Sequence, residues 1–203
     1  MINEMERNKL SKSSGDLQRK KTDFPGTLPF KLDNFDLLYR KYAHGITIIS
    51  AWDDNYKVME ISIEPTVCFK IRAYSIEQAL VSVKYQGKGL GLLLYKALIS
   101  KLDFTLLSND SHSPGARKLW VKLNQDNAIN VYGFDLQSNR VFSVEPNGSM
   151  SELEAMPKDI KLYDNLSSGL IATRKNGQDD ETLRVLLKQS QIKFGSWHFN
   201  FLC

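Results

Sequence analysis

Three glycines within five residues, Gly87, Gly89 and Gly91, lie in the stretch VSVKYQGKGLGLLL, between a strand-like alternation and a long apolar run. Inside a regular element each glycine costs roughly 0.5 to 1 kcal/mol relative to alanine. Three at alternate positions therefore mark a backbone that turns tightly or is approached closely. A strand, a tight turn and a helix in succession aim several N–H groups at one point, and the helix N-terminus adds about half a positive charge there. The chemistry this suits is anion binding. With no Cβ at 87, 89 and 91 the amides stay uncovered and phosphate oxygens can come within hydrogen-bonding distance. Lys84 and Lys88 add charge at the rim. The competing reading is a glycine-rich turn that packs a helix tightly on a strand.

Spacing separates the phosphate loops. A Walker loop needs Gly-Lys-Ser/Thr after a four-residue gap, and here Gly91 is followed by Leu92 and Leu93, which cannot hold magnesium. A dinucleotide fingerprint needs GxGxxG, and the third glycine arrives one residue early. Gln86 to Gly91, Gln-Gly-Lys-Gly-Leu-Gly, instead resembles the Gln/Arg-x-x-Gly-x-Gly/Ala acyl-CoA loop of the GNAT superfamily of N-acetyltransferases. Upstream, LVSVKYQGKG resembles that family's fourth strand entering its loop. Downstream, an apolar helix, the strand FTLLS and the helix ARKLWVKL follow in the family's order, so the resemblance covers about residues 45 to 145. The fold it implies is α+β: a mixed, mostly antiparallel sheet splayed between its fourth and fifth strands, with helices on both faces. The Ser-Pro-Gly-Ala and Leu-Trp variant also resembles small acetyltransferase-like proteins encoded by bacteriophages.

The elements that must position this loop follow from periodicity. ITIISAW and KVMEISIEP flank Asp53-Asp54-Asn55-Tyr56 and read as a hairpin; TVCFKIRAY adds an antiparallel neighbour and QALVSVK a fourth strand. Leu90, Leu93, Leu94, Ala97, Leu98 and Leu102 recur at helical spacing. Ser113-Pro114 reads as an N-cap with proline at the first helical position, opening a helix to about Leu123. AINVYGFDL and RVFSVE form a second hairpin around Gln137-Ser138-Asn139. Upstream, LDNFDLLYRKYAHG places Leu32, Phe35, Leu38, Tyr39 and Tyr42 on one face of a short helix that Gly45 can stop. Towards the end, SMSELEAM and DETLRVLLKQSQ read as helical, IKFGSWHFNFL as extended, and NGQDD as a loop. The expected organisation is a mobile basic arm over residues 1–26, an acetyltransferase-like core over 27–145, and a C-terminal extension over 146–203 packed on it.

Composition sets the outer bounds. The chain has 203 residues, 42% of them hydrophobic, enough for a core of about 150 residues with additions. A balance of 27 basic to 23 acidic side chains, net +4, is too mild to announce a nucleic-acid binder. Cys68 and Cys203 lie far apart with no CxxC spacing, which suggests neither zinc site nor disulfide framework and fits a reducing, cytoplasmic setting. No apolar run approaches the ~18 residues of a membrane span.

The resemblance implies acetyl-CoA as cosubstrate, no metal, and an amine of unknown identity, protein or small molecule, as acceptor. It places the pyrophosphate on Gln86, Gly87, Lys88, Gly89, Leu90 and Gly91, and the pantetheine along Val81, Ser82 and Val83, with an N–H near Val83 on the thioester carbonyl. Glu77, with Gln78 at the entrance of the fourth strand, is the first candidate for base, and Asp110 and His112 lie just after the fifth. The family's Asn-x-x-Ala-x-x-Leu-Tyr is here Ser113, Ala116, Leu119 and Trp120. Serine keeps a polar cap, but an indole N–H is no proton source near neutral pH. Either the thiolate leaves without that help, or Tyr132 or else Tyr85 replaces the acid, or the protein no longer transfers anything. The expected function is direct acetyl transfer to a primary amine. The alternatives are an inactive acetyltransferase-like binding or structural protein, or an acetyltransferase acting on tRNA or another nucleic-acid-associated target.

Overall fold

The computed structural model describes residues 20–108, 114–135, 139–144 and 168–194. The chain divides into two compact units, Met1–Glu64 with Ile76–Leu94, and Pro65–Ser75 with Tyr95–Cys203. Strands β4 (Tyr56–Cys68) and β5 (Ile71–Val81) and helix α1 (Leu90–Leu102) contribute residues to both.

In the first unit β1 (Gly26–Thr27), β2 (Asp36–Lys41), β3 (Thr47–Asp53), β4 and β5 are consecutive neighbours. β2 pairs with β1 and β3, and β3 with β4, all antiparallel. The β3–β4 hairpin forms where the Asp-Asn turn predicts it, with Asp54 at φ 51°. β2 replaces the expected helix. Asp33, at φ 57°, turns the chain between Leu32 and Phe35, whose backbones exchange both hydrogen bonds, and the chain leaves that turn extended. In β2 the adjacent Leu37 and Leu38 point to opposite faces, and both are buried, so two-sided burial outweighs the apparent helical stripe. The expected arm also ends early: Lys21–Asp23 form a 3-10 turn and Gly26 pairs with Tyr39, while Phe24 packs with Leu38, Ile48 and Trp52.

A register shift between Ala51 and Trp52 gives this unit a distinctive feature. Ala51 faces Met59 and Trp52 faces Lys57, so Val58 is one residue too many on β4. Residues three apart on a strand ordinarily face opposite ways; the extra residue brings Lys57 and Glu60 to one face. Their side chains pair at 2.8 Å and are only 4% and 5% exposed.

In the second unit the order is β5, β6 (Leu106–Leu107), β9 (Ser168–Arg174), β7 (Ile129–Asp135), β8 (Arg140–Ser143). β5 and β6 are parallel through Tyr74↔Leu106 and Ser75↔Leu107, whereas β9 is antiparallel to both β6 and β7. The mixed, mostly antiparallel sheet of the α+β expectation is thus present, and its parallel pairing stops at Ser75 although β5 runs on to Val81. The sheet's core joins Cys68, Ile71, Ala73, Leu107, Phe134, Val141 and Ile171 to Leu183 of α3 (Gln178–Phe194). Helix α2 (Pro114–Asn124) begins at the predicted proline.

Two expected runs are redivided. KVMEISIEP continues through Pro65 to Cys68, and TVCFKIRAY is broken by a turn at Phe69 and Lys70, at φ 52° and 65°. IRAY and QALV are then one strand, and Val83 and Lys84 of the expected fourth strand form a 3-10 turn with Tyr85. α3 takes in Gln178–Asp180, where the sequence suggests a loop, and runs through Phe194, where it suggests an extended run. SMSELEAM, Ser113, Asp110, His112 and the residues after Phe194 lie outside the described residues.

Candidate active site

β5 ends at Val81, and four consecutive fixings set the course of the chain beyond it. Ser82 N–H donates to the carbonyl of Val58, the bulged residue, at 2.9 Å, and Ser82 Oγ shares a 2.6 Å hydrogen bond with Tyr56 Oη. Tyr85 N–H closes the 3-10 turn on Ser82 O at 2.8 Å. Gln86 Nε2 then reaches back to Val81 O at 3.1 Å. Gln86 thus spends its side chain holding the loop's base, and its own N–H donates to Val83 O at 3.3 Å. The β3–β4 turn supplies the remaining support, because Tyr85 Oη donates to Asp53 Oδ2 at 2.7 Å. That bond and the burial of Tyr85 raise its phenol pKa.

The loop proper is exposed from Gln86 to Gly89. Gly87 and Gly89 adopt φ of 75° and 77°, and a Cβ built on either would meet nothing within 4 Å. Open space there removes tight helix-on-strand packing as the reason for these two glycines; the left-handed conformation is the reason. Gly89 O accepts from Leu93 N at 3.0 Å, the first bond of α1. The N–H groups of Gly87, Lys88, Gly89, Leu90, Gly91 and Leu92 have no acceptor among the described residues. The first turn of α1 carries no acidic residue to compete for them. Such a row of donors at a helix N-terminus can hold a diphosphate, and the uncovered glycines leave room for its oxygens.

The other expected residues are placed differently. Val83 belongs to the 3-10 turn with its side chain 83% exposed, not to a strand edge. Lys84 and Lys88 are exposed beside the aromatic rings of the first unit. Glu77 sits in the middle of β5 rather than at its start, and is exposed. The sequence reading missed the support given by Asp53, Tyr56 and Ser82; an acidic and aromatic hairpin turn, with Tyr85 directly before the loop, was the available signal.

In the second unit Trp120 is 2% exposed and meets Tyr95 edge-on at 6.1 Å, as a core residue does. Tyr132 is 6% exposed, and its hydroxyl donates to Asp180 Oδ1 at 2.6 Å. Burial first, and this bond second, push its pKa up to about 12. A phenol whose folded pKa lies above its unfolded value of about 10 stabilises the fold fully below pH 10 and loses that contribution as pH rises through 12. Urea unfolding should therefore show stability falling between pH 10 and 12, and Tyr132→Phe should flatten that fall; an unchanged alkaline slope in the variant would refute it.

No family model matches the chain, and no curated protein does. Among solved structures, one similar chain is the fungal multi-domain GH3 β-N-acetylglucosaminidase with a GCN5-related glucosamine N-acetyltransferase region: 19% identity, TM-score 0.30, covering 48% of this chain and 14% of that one. Another is an acetyltransferase assigned to the GNAT family from Bacteroides thetaiotaomicron: 12% identity, TM-score 0.36, covering 94% and 95%. These solved structures are of GNAT type. Among the described residues no helix is long and apolar enough to cross a membrane, and no three His, Cys, Asp or Glu gather as metal ligands.

Proposed function

We propose that the protein binds acetyl-CoA and transfers its acetyl group directly to a primary amine. The observation that carries this reading is the run of amides from Gly87 to Leu92 without acceptors among the described residues, opened by two left-handed glycines whose missing Cβ atoms leave free space. A diphosphate diester supplies oxygens enough for such a row, and its charge suits the N-terminus of α1. Neutral amine attack on the thioester expels a thiolate and needs a proton acceptor for the amine; exposed Glu77 is the first residue to test in that role.

Calorimetric titration of acetyl-CoA into the wild type and into Gly89→Glu tests the reading. Micromolar binding is expected for the wild type, with loss by a factor of roughly 100 in the variant, since it sets a carboxylate against the diphosphate. Because φ 77° strains any side chain, the variant's circular dichroism must match the wild type. No wild-type binding sinks the proposal.

A second reading, binding without turnover, draws on Tyr132. Its proton is committed to Asp180, and Trp120 stands where the family's tyrosine would. Binding of acetyl-CoA with no thiol release across a broad amine panel would favour it.

A further inference from the structure

A pair of hydroxyls sits just past the end of β5. Tyr56 Oη and Ser82 Oγ lie 2.6 Å apart, and either can be the donor. Two hydroxyls carry two protons, and only one of them can lie between the oxygens. Whichever way the bond runs, one O–H is left over, and it has no acceptor among the described residues. Ser82 is 7% exposed and Tyr56 50%, so the pair reaches from the interior to solvent, where a spent proton can be replaced. The Val83 N–H, next along the chain, likewise meets no acceptor among the described residues.

Two other phenols are committed elsewhere. Tyr85 donates to Asp53 at 2.7 Å and Tyr132 to Asp180 at 2.6 Å, and a carboxylate that accepts a phenol's proton opposes its release. The partner printed for the Tyr56 hydroxyl is a serine, not a carboxylate. Beside its ring lie Tyr85, tilted at 6.0 Å, and the Lys84 ammonium, 5.9 Å from the centroid; Asp53 is engaged by Tyr85.

Amine attack on a thioester ends with the C–S bond broken and its electron pair on sulfur, where a supplied proton lowers the barrier. The arm joining a CoA diphosphate to its thioester is long and flexible. From a diphosphate on Gly87 to Leu92 it can run back over the short 3-10 turn to the end of β5. We infer that the Tyr56–Ser82 pair is the proton donor to the departing thiolate: Ser82 Oγ gives its proton to sulfur and recovers one from Tyr56 Oη, which recovers one from water. Resting on the acetyl-CoA reading, this supplies the acid that Trp120 and the committed Tyr132 do not. The amine's own proton leaves separately, to the base.

Two readouts on Tyr56→Phe and Ser82→Ala test the inference. With hydroxylamine as surrogate amine, uncharged near neutral pH, kcat for thiol release from acetyl-CoA should fall about 100-fold in each variant. Calorimetry should give both variants the wild-type Kd for acetyl-CoA. The second readout uses the product, following the pH titration of bound CoA by the NMR shift of the methylene beside its sulfur. Its thiol pKa should be about one unit higher in the variants, because a hydroxyl that donates to the thiolate favours it. A thiol pKa equal in wild type and variants would overturn the assignment, whatever the kinetics. So would weaker acetyl-CoA binding with kcat unchanged, the result of a pair that only holds the loop. Should the wild type release no thiol to hydroxylamine, the CoA titration decides; should Ser82→Ala fail to fold, Tyr56→Phe decides. If neither acetyl-CoA nor CoA binds, the acetyl-CoA reading falls and this inference with it.

Discussion

Glu60→Gln should lower the stability of the protein by about 3 to 5 kcal/mol, the usual penalty for breaking a buried ion pair from one side. The substitution is nearly isosteric and keeps a hydrogen-bonding oxygen, so packing is not the cause. What changes is that the Lys57 ammonium, 4% exposed and 2.8 Å from Glu60, loses the carboxylate charge that offsets its desolvation. The pair exists because Val58 is an extra residue: without it the alternation of β4 would put position 57 and position 60 on opposite faces. On the same face Trp52 Nε1 donates to Ser50 Oγ at 2.7 Å, within the register that sets Ser50 opposite Glu60. Urea unfolding followed by fluorescence measures the effect. The double variant Lys57→Met/Glu60→Leu should recover most of the loss, because two apolar side chains carry no desolvation cost. A single variant within 1 kcal/mol of wild type would mean that the pair is not carrying charge into the interior.

Asp180→Ala should cost a similar amount, by a different route. Its carboxylate is fully buried and accepts from Tyr132 Oη at 2.6 Å, Asn130 Nδ2 at 2.8 Å, the Asn176 N–H at 2.8 Å and Arg184 Nε at 2.9 Å. These groups come from β7, from the turn after β9 and from α3, so one side chain ties three elements together. Removing it leaves a buried hydroxyl and an amide seeking partners, at about 1 to 3 kcal/mol each before relaxation. Tyr132→Phe should cost only about 1 kcal/mol, since Asp180 retains its other donors. A loss for Asp180→Ala no larger than for Tyr132→Phe would show that the carboxylate is not the centre of the network.

The parts of the fold that sequence made legible are those whose signals are local. The β3–β4 hairpin follows from Asp53 to Tyr56, α1 from its leucine spacing, α2 from its proline, and the β7–β8 hairpin from its polar turn. The parts it hid depend on partners far along the chain. LDNFDLLYRK carries apolar residues that satisfy a helical period, yet Leu37 and Leu38 are both buried only because a strand offers two covered faces. The Phe69-Lys70 turn uses two bulky residues at positive φ, where turn chemistry favours glycine or asparagine, so the sequence shows no break there. For the candidate site, the glycines and lysines were visible and their reason was partly so. That Gln86 would hold Val81, or Asp53 the ring of Tyr85, depends on which side chains the hairpin brings alongside the loop. Tyr132 was singled out for its phenol, but Asp180, on a helix about fifty residues later, decides what that phenol does.

Strand β9 enters between β6 and β7 although it follows all the other strands among the described residues. Pairing Leu106 with Ala172 and Val131 with the same alanine closes two long chain loops, and neither closure can begin until residue 172 has left the ribosome. Until then β6 and β7 present open edges, the kind that recruit strands from other molecules. High-contact-order closures of this sort are slow, and they lengthen the interval in which a nascent chain is vulnerable. Yield in cells should therefore depend on how fast the segment after residue 167 arrives and inserts, making the order of synthesis, as well as the final contacts, a determinant of how much protein survives to fold.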